Sequence, residues 1–273
     1  MNWTRATILG LAVLACTLPV TALAFGASAK SGIGRMTVVP DVLYAGSTGN
    51  QVTFTFTADS SSLRGQTLIE FPRGWSAPQR SNPSGPGYIE VKPGQCSAST
   101  KITSIGVRRV TIATSCGRHK AYQLVYSKVT APQLTADGYI FLTSTRSMAS
   151  GKKTKFRPLL PGKQPVIKVR GGPPAGLLVQ TTSVATAGTA FSVTVRAIDA
   201  YGNNAYPYTG TVQLTSSDLA ATIPGPYSLG PADVAQHTFT GAILRTGGTQ
   251  TITATDSNGL SATSPPITVV PPS

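Results

Sequence analysis

The residues able to do chemistry are few, and their spacing argues against catalysis. The chain holds two histidines, His119 and His237, three cysteines and nine acids in 273 residues. A Ser-His-acid triad needs a carboxylate to orient the imidazole. His119 instead lies in the basic run Arg118-His119-Lys120 beside Cys116, and His237 opens a strand-like run. Paired carboxylates for glycoside hydrolysis must share a cleft, whereas the two glutamates, Glu70 and Glu90, stand 20 positions apart among basic residues. The sequence has no GxSxG, no HExxH, no P-loop and no strand-borne GxGxxG. The reading is a non-enzyme, with no catalytic residue, metal ligand or cofactor assigned.

Asp199-Ala200-Tyr201-Gly202-Asn203-Asn204 is the one oxygen-rich stretch that invites calcium, with Asp218 or with Asp256 and Asn258 as further ligands. Calcium takes about six to eight oxygens, and the spacing fits no EF-hand loop. Asp, Gly and Asn are also the residues of a tight turn between strands. A turn is the preferred assignment and calcium the alternative.

The N-terminus reads as an export signal: Arg5, an apolar run from Ile8 to Ala24, then small-residue cleavage sites at Ala22-Leu23-Ala24 and Ala27-Ser28-Ala29. Cleavage after Ala29 is preferred. An uncleaved membrane anchor, or lipidation at Cys16 in Val13-Leu14-Ala15-Cys16, are the alternatives. After cleavage two cysteines remain, Cys96 and Cys116, and an even count in an exported chain implies a disulfide. No transmembrane span is expected after signal removal, so the expected location is extracellular or at the cell surface.

Strands must position whatever the chain presents. Ala45-Gly46-Ser47-Thr48 leads into the alternating run Gln51–Ala58, and Ala187-Gly188-Thr189-Ala190 leads into the alternating run Phe191–Ala197. Period-two alternation is the pattern of a strand with one buried face. Written twice, it predicts an all-β chain of two tandem immunoglobulin-like sandwiches. The expected layout is a signal peptide over 1–29, a basic sandwich with a disulfide over 30–170, and a second sandwich over 171–273. In the second, Phe191, Val193, Val195 and Ala197 should face the core and Ser192, Thr194 and Arg196 water. Gly171-Gly172-Pro173-Pro174 reads as a linker that limits relative motion without abolishing it.

The string from Ala187 to Asp218, AGTAFSVTVRAIDAYGNNAYPYTGTVQLTSSD, and its continuation from His237 to Asp256 resemble the immunoglobulin-like repeats of bacterial surface and adhesin proteins. The resemblance covers residues 175 to 270; the first module is more loosely similar. It implies a scaffold or adhesion role and identifies no ligand.

Charge divides sharply between the two halves. Residues 30–170 carry 20 Lys and Arg against five acids, whereas residues 171–273 carry two against four. The densest runs hold Arg108, Arg109, Arg118, Lys120, Lys152, Lys153, Lys155 and Arg157, and these are the candidate polyanion-binding residues. Such a field draws polyanions: phosphate-bearing wall polymers, acidic polysaccharides, anionic lipid headgroups or released DNA. Tyr122, Tyr126 and Tyr139 either stack on a ligand or fill the core. No sequence-specific nucleic-acid motif is present. The expected partners are cell-envelope polymers or other surface proteins. The alternative is a structural spacer or assembly subunit that binds only protein partners.

Overall fold

The computed structural model describes residues 31–148 and 154–272. The export segment, with Cys16 and both cleavage sites, lies outside the described residues, as do Lys30, Lys152 and Lys153. Among the described residues every regular element is a strand, apart from two short 3-10 turns. The chain is all-β.

Twelve strands lie before residue 171: β1 (Arg35–Val39), β2 (Val42–Tyr44), β3 (Asn50–Thr57), β4 (Leu63–Glu70), β5 (Tyr88–Lys92), β6 (Lys101–Gly106), β7 (Arg109–Cys116), β8 (Ala121–Val129), β9 (Ala136–Ile140), β10 (Leu142–Ser147), β11 (Arg157–Pro158) and β12 (Val166–Arg170). Ten follow: β13 (Gly176–Gln180), β14 (Val184–Thr186), β15 (Ala190–Ile198), β16 (Gly210–Ser216), β17 (Tyr227–Leu229), β18 (Gln236–Ile243), β19 (Gly248–Gln250), β20 (Ile252–Asp256), β21 (Ser261–Thr263) and β22 (Ile267–Val270).

The two sets share one plan. The layer β1-β3-β8-β5 corresponds to β13-β15-β18. The short strands β2 and β14 leave that layer and pair in parallel with the last strand of their own set, β12 and β22. The facing layers are built on β11-β10-β4-β7-β6 and on β17-β16-β20-β21. Two sheets of this connectivity, packed face to face, are the immunoglobulin-type sandwich.

The duplicated opening folds the same way twice. Ala45, Gly46 and Ser47 donate their N–H groups to Arg170, Pro132 and Tyr44, while Ala187, Gly188 and Thr189 donate theirs to Val270, Leu244 and Thr186. Both glycines have positive φ, +67° and +81°, a conformation glycine adopts without a Cβ penalty. The short sequence is therefore the corner that sends the chain from one sheet to the other.

Each half has its own hydrophobic cluster, one drawn from Met36 to Val169 and one from Leu177 to Val269. Alternation supplies both. Val52, Phe54 and Phe56 on β3, with Tyr122, Leu124 and Tyr126 on β8, meet Ile69, Val110 and Ile112 across the first core. Phe141 sits at the centre of an aromatic group, 4.9 Å from both Phe54 and Trp75 and 5.5 Å from Phe71. Each such pair contributes roughly 0.5–1.5 kcal/mol beyond area burial.

Two earlier points are decided here. Val193, Val195 and Ala197 are buried as expected, but Phe191 is only half-buried, because the register between β15 and β18 shifts between Phe191 and Val193. Tyr122 and Tyr126 are core residues and Tyr139 packs edge-on against Trp75 at 5.7 Å, so none is a stacking platform for a ligand. The hairpin of β6 and β7 turns at Val107 and Arg108.

The hydroxyls of Tyr122 and Thr67 face one another in the core, yet neither completes a hydrogen bond of acceptable geometry. Burial, the larger effect, raises the Tyr122 phenol above its ordinary range. Removing an unpartnered buried hydroxyl relieves a desolvation cost. Tyr122→Phe is expected to leave stability unchanged or raise it by up to about 1 kcal/mol in urea denaturation. A clear loss of stability in Tyr122→Phe would mean the hydroxyl is satisfied.

Candidate functional site

The loop after β15 is a hydrogen-bonded clasp. Asp199 ends the alternating run and is buried. Its Oδ1 accepts from the N–H groups of Tyr201 and Asn203, both at 2.9 Å, and its Oδ2 from Gly172 N–H at 2.8 Å and Asn203 Nδ2 at 2.9 Å. Burial pushes this carboxyl up, but the donors from Gly172, Asn203 and Tyr201 outweigh it and hold the group below the usual carboxylate range. Both of its oxygens are taken up by N–H donors. The turn assignment is the one the geometry fits.

The clasp also joins the two halves. Asn203 Nδ2 donates to Gln133 O at 2.8 Å, and Tyr206 N–H donates to Gly172 O at 2.9 Å. Gly46 lies so close to Tyr201 that a Cβ there would sit 2.2 Å from its ring. Tyr206 packs on Tyr44 with centroids 6.3 Å apart, and the Arg170 guanidinium lies 4.4 Å from the Tyr206 ring centre. Gly171 and Gly172 are both buried, and a Cβ on Gly171 would come within 1.9 Å of Asn204 O. Glycine is required there for close approach of two backbones. The segment read as a restricted hinge is clamped.

Beside the clamp opens a cleft of about 680 Å³. β12 lines it with Lys168 and Arg170, β15 with Arg196, and β9 with Asp137. Arg196, expected to point to water, is half-buried, and its Nε donates to Asn204 Oδ1 at 2.7 Å. Three cations and one acid thus meet between the sandwiches.

The sequence-predicted basic residues do not form one patch. Arg108 sits at the tip of the β6–β7 hairpin, and Arg109 is ion-paired to Glu70 at 3.1 Å. Arg118 and Lys120 lie at the other end of β7, roughly 25 Å away at ~3.4 Å per residue. Arg157 is on β11, the opposite edge strand from β6, with Lys155 just before it. Near that edge the structure adds Arg64 and Arg146: Met148 N–H donates to Arg64 O, and the Arg146 guanidinium lies 4.3 Å over Phe156. Lys168, Arg170 and Arg196 escaped the sequence reading because they are isolated in sequence and converge only through pairing and the clamp.

The aspartates of the second half are structural. Asp218 accepts from Arg245 N–H, Thr246 N–H at 3.0 Å, Thr246 Oγ1 at 2.7 Å and Ala220 N–H at 2.9 Å. The Thr246 donors above all hold its carboxyl far below the ordinary range. Asp256 accepts from Tyr208 Oη at 2.7 Å and Leu260 N–H at 2.7 Å; burial pushes it up, and these bonds bring it below normal. Asp233 accepts from Gly230 N–H and Tyr227 Oη. A carboxyl with a depressed folded-state pKa stabilises the fold above its unfolded pKa, about 4, and loses that contribution as pH falls. Stability of the second sandwich is therefore expected to be level from pH 7 to 5 and to drop below about pH 4. Asp218→Asn should be less stable at pH 7 and show a shallower acid loss. Equal acid slopes in parent and variant would contradict this. Neither imidazole has a carboxylate partner among the described residues: His119 is in a turn, and His237 stacks on Tyr227 with ring centres 3.4 Å apart.

No protein-family model matches the sequence, and no curated protein matches it. Solved structures align with it at low identity and low TM-score. The Yersinia pseudotuberculosis adhesin InvE is 15% identical, with a TM-score of 0.29 over 86% of this chain and 58% of its own. The Escherichia coli adhesin FdeC is 15% identical, with a TM-score of 0.38 over 89% of this chain and 65% of its own. Red sea bream transglutaminase is 13% identical, with a TM-score of 0.27 over 88% of this chain and 32% of its own. The chain thus spans less than two thirds of each, and its structural neighbours include bacterial adhesins.

Proposed function

We propose that this chain is an exported, non-catalytic surface module whose basic first sandwich holds anionic envelope polymers. The observation that carries the reading is uncompensated charge. Residues 30–170 hold 20 cationic side chains against five acids, so most of the positive charge has no acid to offset it. The excess is spread over both ends of β7 and the cleft, a distribution suited to a long flexible polyanion rather than a compact one. The clamped junction lets both sandwiches meet such a chain as one body.

Binding of this kind releases counterions and weakens as salt rises. The exported chain should be retained on immobilised wall teichoic acid or heparin at 50 mM NaCl and released well before 1 M. Retention that does not change across that range would overturn the electrostatic reading.

A second reading rests on the clamp itself. A fixed junction is what a spacer requires, and a spacer would show a defined oligomer by light scattering and no polymer retention at low salt.

A further inference from the structure

We propose that the cleft between the sandwiches binds an acidic oligosaccharide, its acid groups held by Lys168, Arg170 and Arg196 and one of its hydroxyls by Asp137. The inference rests on the anionic-polymer reading above and names the place and the ligand class.

Four observations point to it. First, like charges repel, yet three cations line this one cleft, and none is ion-paired to a carboxylate among the described residues. Second, Arg196 is one of two cations in residues 171–273. The other, Arg245, is occupied by Ala220 O and Thr222 Oγ1, at 2.7 and 2.8 Å. Arg196 is oriented through its Nε by Asn204 Oδ1 at 2.7 Å, with one long contact of 3.5 Å from Nη2 to Gly202 O, and Arg170 is steadied by the Tyr206 ring. These are the conditions under which guanidinium groups bind carboxylate or sulfate. Third, Asp137 is exposed in the cleft with no hydrogen-bond or ion-pair partner among the described residues. It would repel a bare polyphosphate and accept hydrogen bonds from sugar hydroxyls. Fourth, a single-stranded nucleic acid is held largely by stacking its bases on free aromatic faces. The Tyr206 ring is already covered by Arg170 and packed on Tyr44. The volume lies within the ~300–1,000 Å³ usual for small-ligand sites.

The test is calorimetric titration of the purified chain with four probes: tetragalacturonate, a heparin-derived tetrasaccharide, neutral maltotetraose and sodium tripolyphosphate. Binding by one of the two acidic saccharides, and not by maltotetraose, is expected. Binding of tetragalacturonate means that carboxylates suffice, whereas binding of the heparin fragment alone, which carries both groups, means that sulfate is required. Lys168→Ala, an exposed side chain without internal partners, should weaken that binding about tenfold, and Arg196→Ala by a similar factor. Asp137→Ala should weaken the saccharide severalfold and strengthen tripolyphosphate. Lys92→Ala, which removes an exposed cation on β5 outside the cleft, should leave tetrasaccharide binding unchanged.

Equal affinity of the parent and Lys168→Ala, no binding by either acidic saccharide, or tripolyphosphate binding as tightly as the saccharide would each overturn the proposal. The two readings fail separately. Polymer retention that survives Lys168→Ala and Arg196→Ala but is lost in Arg118→Ala/Lys120→Ala sinks the cleft alone. Tetrasaccharide binding without retention of long polymer sinks the general reading alone.

Discussion

Replacing Asp199 with alanine should cost about 2–4 kcal/mol of stability, the cost expected when a charged acceptor is withdrawn from several buried donors. The carboxylate serves the N–H groups of Gly172, Tyr201 and Asn203 and the Asn203 side chain. Three of these donors lie in its own loop and the fourth in the connecting segment, so the loss should act on the loop and the clamp together. Urea denaturation measures the first effect. Hydrogen exchange at Gly172 measures the second and should speed up well before global unfolding. Asp199→Asn keeps one acceptor oxygen and should recover part of the loss. Gly171→Ala provides a check that leaves the carboxylate intact, because its Cβ would meet Asn204 O at 1.9 Å and force the clamp apart. Should Asp199→Ala change stability by less than about 0.5 kcal/mol, the clasp is not what joins the halves.

Loss of the disulfide is the second large effect. Cys96 and Cys116 are bonded with Cα atoms 4.4 Å apart and a sequence separation of 20. The bond ties the β5–β6 connection to the end of β7, next to the contact in which Ser97 N–H donates to Ser115 O at 2.9 Å. Cross-linking a loop of this size removes unfolded-state entropy worth ~3 kcal/mol. The double variant Cys96→Ser/Cys116→Ser should therefore unfold at a lower urea concentration by about that amount. Trp75 is buried in the first core, so its fluorescence follows that sandwich. The second sandwich, read by the exchange of β15 and β20 amides, should lose less. An unchanged midpoint for Trp75 would mean that the β6–β7 hairpin is held by its strand pairing alone.

Local pattern made much of the fold legible. Alternation over Gln51–Ala58 and Phe191–Ala197 marked strands, and the Ala-Gly-Ser and Ala-Gly-Thr corners recur with matching hydrogen bonds. The hairpin of β6 and β7 was not legible as two strands. Val107 and Arg108 are ordinary strand residues by composition and form the turn only because Lys101–Gly106 folds back on β7. The basic runs were visible as runs, but a strand of eight residues carries its two ends far apart, so neighbours in sequence became opposite ends of a sheet.

By itself, the sequence determined that this chain is made of strands, that each half repeats one plan, and that positive charge belongs to the first half. These follow from the period of side chains along a strand and from simple composition, which need no knowledge of distant partners. Only the tertiary structure decided that Asp199 is a clasp, that Gly171 and Gly172 are clamped, and that Lys168, Arg170 and Arg196 share a cleft. Those outcomes depend on contacts between segments tens of residues apart. The pairing of strands and the docking of two cores choose such contacts, and no local spacing records them.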